Sequence, residues 1–131
     1  MDSKKRLEES KLFTPYKLGS VTLRNRVIRS AAFESMGKDF SPTQALKDYH
    51  VSVAKGGVGM TTVAYASINR SGISFNKQLW LRDEIVPALR DLTDAVHNEG
   101  AAVGIQLGHC GNMTHWSTAG SFPVSASNGF N

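Results

Sequence analysis

The 131-residue sequence has a single cysteine, Cys110, and no long uninterrupted apolar run. One cysteine excludes an intrachain disulfide and a cysteine-rich metal site. A membrane-spanning helix needs roughly 18 or more consecutive apolar residues, which this sequence lacks. The charged N-terminal stretch MDSKKRLEES also lacks the apolar centre of a secretory signal peptide. We therefore expect a cytoplasmic protein with no membrane partner.

The sequence is also poor in the patterns that mark nucleic-acid, phosphate and metal sites. Its formal net charge is +4, but no basic stripe is interleaved with aromatic residues, so we expect no nucleic-acid partner. Neither the GxGxxG nor the GxxxxGK[ST] motif is present. His109 and His115 flank Cys110, but their spacing matches no common zinc pattern and carboxylates are missing nearby. We predict no metal site, and we place His50 and His97 on helix surfaces or edges.

What the sequence does contain is an alternation of strand-like and helix-like segments. A hairpin is predicted around Gly19 and Ser20. The segments that follow are a strand over 27–32, a helix capped by Ser41 and ended by Gly56 and Gly57, a strand over 58–66, a helix from Asp83 to Gly100 and a strand over 101–107. Residues 67–82 and 108–131 are predicted to be loops. This alternation favours a parallel α/β sheet.

The most informative segment is the last predicted strand with its continuation, AAVGIQLGHCG over residues 101–111. Gln106 lies inside an apolar run near the carboxyl end of this strand, where α/β folds place their ligands. Its amide offers donors and an acceptor, which suit a flat heterocycle with mixed edges. We therefore expect Gln106 to face away from the layer of helices.

Other residues near the predicted strand ends have two interpretations each. Ser30, Ala31 and Ala32 would let the backbone approach a planar ligand, or they are small because the strand packs tightly. Tyr65 is either a phenolic donor or a packing residue. Glu34 is a lone acid, which is weak evidence for acid–base chemistry. The residues by themselves leave these alternatives open.

Three segments, taken in order, resemble the N-terminal part of the Old Yellow Enzyme family of FMN-dependent NAD(P)H:flavin oxidoreductases and ene reductases. The first comprises LFTP, LG and LRNR within residues 12–26. The second is DLTDAVHNEG at 91–100, and the third is GIQLGHCG at 104–111. The resemblance covers nearly the whole chain from Leu12 onward, and three segments in register are specific where each alone would be weak.

The resemblance implies the N-terminal portion of a (β/α)8 TIM barrel, with a leading hairpin and about three βα units. A complete barrel of this kind needs about 250 residues. The resemblance also implies FMN as cofactor, NAD(P)H as reductant and a small-molecule electron acceptor such as an activated alkene. It divides the chain into a flexible lead over residues 1–11 and a partial flavin oxidoreductase domain over 12–131.

By position, the resemblance assigns flavin contacts to six residues: Ser30, Ala31, Ala32, Phe33, Tyr65 and Gln106. Phe33 departs from the family, which usually has Thr or Cys near the flavin C4 carbonyl and N5. Because phenylalanine cannot donate a hydrogen bond, we expect the flavin potential or the choice of substrate to differ. No catalytic residue is assigned, since the family's substrate-anchoring and proton-transferring residues belong to later strands.

The resulting expectation is an FMN-binding oxidoreductase of the ene-reductase type, present as an N-terminal fragment. We expect the isolated chain to have little or no activity and to bind FMN weakly. The alternative is a non-catalytic truncated or split-gene product that acts, if at all, by association. The sequence does not indicate an oligomeric state.

Overall fold

The chain enters the fold through a short turn and a hairpin. The computed structural model describes residues 10–126, so most of the lead predicted over 1–11 lies outside the described residues. Lys11–Phe13 form a 3-10 turn, whose first turn is capped by the side chain of Ser10.

The predicted hairpin around Gly19 is confirmed. Strand β1 (Tyr16–Leu18) pairs antiparallel with strand β2 (Val21–Leu23), with Tyr16 opposite Leu23. Gly19 in the turn has a φ of +59°, a conformation that glycine adopts without steric cost.

The main sheet has β4 at its centre and is parallel throughout. Within residues 10–126 its strands are β3 (Ile28–Arg29), β4 (Met60–Ser67), β5 (Leu79–Trp80) and β6 (Ala102–Gly108). β6 pairs with β4 along the whole length of β4. β3 and β5 therefore share the other edge of β4, with β3 at its beginning and β5 at its end. The predicted parallel α/β sheet is confirmed.

Helix α1 (Gln44–Lys55) follows β3. It is capped by Thr43, whose Oγ1 accepts a hydrogen bond from the Leu46 N–H at 3.2 Å. The prediction that Ser41 caps this helix is wrong, because the Ser41 backbone is already paired in both directions with Lys38 in the preceding turn.

Helix α2 (Val86–Asn98) connects the second and third βα units. A 3-10 turn over Asp83–Ile85 precedes it, so the predicted start at Asp83 marks this turn rather than the α-helix itself. The helix ends before Gly100, as predicted, and the φ of +74° at that residue reverses the chain into β6. None of the helices within residues 10–126 is long and apolar enough to span a membrane.

The apolar core lies between the sheet and the two long helices. Its buried members are Leu46, Ala54, Val63, Ala66, Leu79, Leu92, Val96 and Ala101. Val103 and Ile105 of β6 pack against this cluster from the sheet. His50 of α1 is fully buried, so the surface position expected for it is wrong. Its Nδ1 lies 2.9 Å from Thr61 Oγ1, which gives the buried ring a polar partner.

Three elements differ from the sequence prediction. β3 has two residues rather than the six predicted over 27–32, since beyond Thr61 the backbone groups of β4 are bonded by the side chains of Arg29 and Glu34. The loop predicted over 67–82 contains β5, and the loop predicted from Gly108 onward contains a one-turn helix, α3 (Trp116–Ala119). β5 and α3 are too short to produce a hydrophobic period that a sequence could reveal.

Candidate functional site

Gln106 lies on the face of the sheet opposite the helices. Successive side chains of a strand point to opposite faces, and Val103 and Ile105 pack against the helix-side core. Gln106 therefore points the other way, and its side chain is exposed. Among residues 10–126 no hydrogen-bond partner is found for its amide, whose donors and acceptor are free to contact a ligand.

A cavity of about 340 Å³ opens beside Gln106 at the carboxyl ends of β4 and β6. It is lined by Tyr65, Gln106, Leu107, Gly108, His109 and Cys110. Gly108 is needed here for space, because a Cβ at this position would lie 2.7 Å from Cδ2 of the Tyr65 ring. The structure thus brings together two residues that the sequence placed at a flavin site, Tyr65 and Gln106.

An irregularity in β4 directs Tyr65 into this cavity. Val63 pairs with Ile105 and Ala66 pairs with Leu107, so Ala64 and Tyr65 of β4 together oppose the single residue Gln106 of β6. Such a β-bulge adds one residue to one strand and re-aims a side chain. Because of the extra residue, Val63 and Ala66 both face the core while Tyr65 lines the cavity on the other face.

Phe33, which the sequence also placed at a flavin site, lies next to Tyr65, but neither Phe33 nor its neighbour Phe75 lines the cavity. The Phe33 ring lies 5.0 Å from that of Phe75 in a stacked arrangement and 6.3 Å from that of Tyr65 in a tilted one. The Tyr65 hydroxyl lies 2.5 Å from Ser74 Oγ, and this hydrogen bond holds the hydroxyl end of the Tyr65 ring in place. Phe33 is 38% exposed, so this group of rings presents an apolar surface to solvent.

Ser30, Ala31 and Ala32 lie between β3 and Phe33 and do not line the cavity. Ser30 and Ala32 are exposed and Ala31 is half-buried. The Ala32 carbonyl accepts a hydrogen bond from Arg29 Nη2 at 3.1 Å, so the side chain of Arg29 folds back over this segment.

Sequence reasoning missed a buried polar group next to this segment, formed by Arg29, Glu34 and His50. Arg29 Nη1 donates to Glu34 Oε1 at 2.6 Å, and His50 Nε2 lies 3.4 Å from the same oxygen. The Glu34 side chain is only 3% exposed. An arginine inside the predicted strand and an acid shortly after it were the available signals, but His50 comes from a distant helix.

The Glu34 carboxylate is ionised in this surrounding. Burial by itself raises the pKa of Glu34, but contacts with His50, a backbone hydrogen bond and the Arg29 guanidinium together outweigh it. The pKa is therefore held below its ordinary value of 4.5. A charge buried to this degree is stable only when paired and hydrogen-bonded, and here both conditions are met.

His109 holds the loop that follows β6. Its Nδ1 accepts a hydrogen bond from the Gly111 N–H at 2.9 Å, so the proton is on Nε2, which donates to Ser71 Oγ at 3.2 Å. No three His, Cys, Asp or Glu side chains in the described part of the chain come together as a possible metal site.

The cavity has features that suit a flat heterocycle, and none of its described lining residues is a lysine or arginine that could hold a phosphate. It offers a free amide, a phenolic ring and a glycine that leaves room for close approach. Its lining residues include no lysine or arginine among those that the structure describes, although a bound phosphate requires basic side chains or oriented N–H groups. The residues present fit the ring of a flavin.

Comparison with known proteins gives one consistent family. The model of the NADH:flavin oxidoreductase / NADH oxidase family matches residues 11–128. A probable N-methylproline demethylase of Rhizobium meliloti is 44% identical over 117 residues, which is 88% of this chain and 17% of the relative. An NADPH dehydrogenase of Listeria welshimeri is 41% identical over 106 residues, covering 78% of this chain and 31% of the relative.

Solved structures agree with this assignment. The old yellow enzyme homologue from Zymomonas mobilis superposes with a TM-score of 0.83 at 25% identity, over 92% of this chain and 34% of that protein. Morphinone reductase in complex with tetrahydroNAD gives a TM-score of 0.73 at 26% identity, over 82% of this chain and 29% of that protein. The chain therefore has the fold of one part of these barrels, and it spans between about a sixth and a third of the relatives' length.

Proposed function

The chain belongs to the NADH:flavin oxidoreductase / NADH oxidase family, and from this premise we propose that it forms one wall of the family's FMN site. The observation that carries the proposal is the cavity in which Gln106 and Tyr65 meet, opposite the β4 bulge. FMN is the cofactor of this family. When bound, FMN would supply the chemistry of hydride transfer between a nicotinamide and a small organic acceptor, such as an activated alkene.

The residues of this chain would hold and orient the flavin ring. The Gln106 amide would both donate to and accept from the polar edge of the ring. Gly108 leaves room for the ring beside Tyr65, and Phe33 offers an apolar surface at the β3 side. Ser30, Ala31 and Ala32, which lie outside the cavity lining, would contact the ring through their backbone.

FMN titration of the 131-residue chain tests this proposal, with flavin fluorescence and absorbance as readouts. We expect weak binding, because no lysine or arginine among the described residues lines the cavity to hold the phosphate. Gln106→Ala should weaken it about two- to tenfold for each hydrogen bond that is lost, since one such bond contributes roughly 0.5–1.5 kcal/mol. Gln44→Ala is the matched control, because Gln44 is an exposed glutamine on α1 whose side chain donates to Asp48, away from the cavity lining.

Equal affinity of the Gln106→Ala variant and the parent chain would contradict the assignment of Gln106 to the flavin edge. Absence of FMN binding by the parent chain up to millimolar concentration would favour a second candidate function.

That second candidate is a non-catalytic protein that acts by association. Large exposed apolar side chains favour it, among them Leu107 at 56%, Trp116 at 61% and Phe122 at 86% exposure. Exposed apolar surface of this kind commonly marks an interaction site. Sedimentation of the chain across a concentration series tests it, and association that Leu107→Ser and Trp116→Ser both weaken would support it.

A further inference from the structure

We propose that Glu34 is a positioning residue, whose buried carboxylate fixes both the segment 30–33 and the Tyr65 bulge relative to the flavin ring. The inference rests on the proposed flavin site, and it concerns a residue outside the cavity itself. Glu34 touches no residue of the cavity lining by a side-chain hydrogen bond within the described part of the chain, so its effect must pass through the backbone.

The first step is that side chains continue the sheet where β3 stops. β3 pairs with β4 only at Met60 and Thr61, and β5 does not join this edge until Ala66. In the gap, Arg29 Nη1 donates to the Thr62 carbonyl at 2.6 Å. Glu34 Oε2 accepts from the Ala64 N–H at 3.2 Å. The Arg29–Glu34 pair thus takes the place of a strand, which explains why β3 is two residues long.

The second step is that the tethered amide belongs to the bulge. Ala64 and Tyr65 are the two residues of β4 that oppose Gln106. One edge of the bulge faces Gln106, and the other is held by the Glu34 carboxylate. Because a bulge breaks the regular ladder, its geometry depends on whatever pairs with its free groups. Glu34 therefore sets the position of Tyr65 in the cavity.

The third step is that the same carboxylate closes the segment 30–33 into a loop. Arg29 and Glu34 stand at its two ends and are joined by the 2.6 Å ion pair. The loop is tightened by the bond from Arg29 Nη2 to the Ala32 carbonyl. Ser35, which follows, has a φ of +57°, a conformation costly for a residue with a side chain. The chain accepts this strain where it turns the Glu34 side chain inward.

Burial makes this tether persistent. The Glu34 side chain is 3% exposed and that of Arg29 is 17% exposed. The surface pair Lys47–Asp91, in contrast, involves an aspartate that is 66% exposed and competes with water and salt. The segment 30–33 and the Tyr65 bulge are therefore both held by one carboxylate that is shielded from water.

The first test needs no flavin. Two-dimensional 15N–1H spectra and amide exchange of the 131-residue chain are compared with those of Glu34→Gln and of the control Asp91→Asn. Glu34→Gln keeps the size and one acceptor but removes the charge. We expect shifted resonances and faster exchange at residues 30–33 and at Ala64 and Tyr65, with the core of α1 and α2 unchanged. Changes confined to Arg29 and His50, with Tyr65 unaffected, would overturn the proposal.

If Glu34→Gln does not fold, the parent chain decides the matter. The side-chain carboxyl carbon of Glu34 and the amides of Ala64 and Tyr65 are followed together during an acid titration, above the pH at which the fold is lost. A common midpoint supports the tether. Amide shifts at Ala64 and Tyr65 that do not follow the Glu34 carboxyl carbon contradict it.

The second test adds FMN to the same variants. We expect Glu34→Gln to weaken FMN binding at least tenfold with an unchanged circular dichroism spectrum, and Asp91→Asn to leave it unchanged. Equal affinities of Glu34→Gln and the parent chain would refute the positioning role. If the parent chain binds no FMN, the proposed function fails, while the flavin-free spectra still show whether Glu34 positions the bulge.

Discussion

The two edges of β4 are held in different ways. On one edge β6 supplies a continuous backbone ladder from Met60 to Ser67, interrupted only by the bulge. On the other edge two short strands leave a gap, and the side chains of Arg29 and Glu34 fill it. A backbone ladder tolerates most changes of side chain. An edge that is bonded by side chains instead depends on the two residues Arg29 and Glu34 and on their charges.

The largest loss of stability is expected when the Glu34 carboxylate, which bonds β4 in place of a strand, is removed. Glu34→Ala removes the carboxylate that pairs with the partly buried Arg29 guanidinium and accepts from the Ala64 N–H. Breaking a buried ion pair by removing one member costs about 3–5 kcal/mol. Urea unfolding followed by circular dichroism measures the loss of stability. The exposed Lys47–Asp91 pair is the control, since Asp91→Asn should cost less than about 1 kcal/mol. Equal losses in the two variants would mean that the edges of β4 do not differ as described.

Acid should remove the same stabilisation without any substitution. The folded-state pKa of Glu34 lies below its ordinary value of 4.5, so its contribution to stability is complete above that pH and is lost as pH falls through the lowered value. The stability difference between the parent chain and Glu34→Gln should therefore be constant near neutral pH and shrink below pH 4.5. Urea unfolding at a series of pH values measures this difference. A stability difference that grows on acidification would contradict a lowered pKa of Glu34 in the folded state.

These two edges also differ in how far the sequence predicts them. The helix-side core and the parallel order follow from apolar periodicity, and the glycines at 19, 57 and 100 mark the turns correctly. The ladder with β6 follows from the apolar run around Gln106. The bonds of the Arg29 and Glu34 side chains to β4 do not follow from the sequence, because the spacing of apolar residues does not reveal which polar side chain bonds a neighbouring strand. His50 was misplaced for the same reason, since its partners Thr61 and Glu34 lie on other segments.

On the β6 edge the expected effects are smaller and depend on shape rather than charge. Gly108→Ala places a Cβ 2.7 Å from Cδ2 of the stiff Tyr65 ring, and such overpacking costs about 1–3 kcal/mol. Gly104→Ala is the matched control on the same strand and face. Among residues 10–126 its Cβ would meet only the terminal methyl of Met60, which a flexible methionine can move away. Thermal unfolding should give a clearly lower Tm for Gly108→Ala than for Gly104→Ala. A reversed order of the two Tm values would show that Tyr65 is free to move.

The smallest effect is expected at the bulge itself, where the two edges meet. Tyr65→Phe removes the hydrogen bond between the Tyr65 hydroxyl and Ser74 Oγ, and a neutral bond of this kind contributes roughly 0.5–1.5 kcal/mol. Tyr16→Phe is the control, because Tyr16 is exposed and its ring contact with Arg26, at 4.8 Å, survives the change. Urea unfolding of both variants measures the difference. If Tyr65→Phe were as costly as Glu34→Ala, the phenol rather than the buried carboxylate would hold the bulge, and the contrast between the two edges of β4 would have to be redrawn around Tyr65.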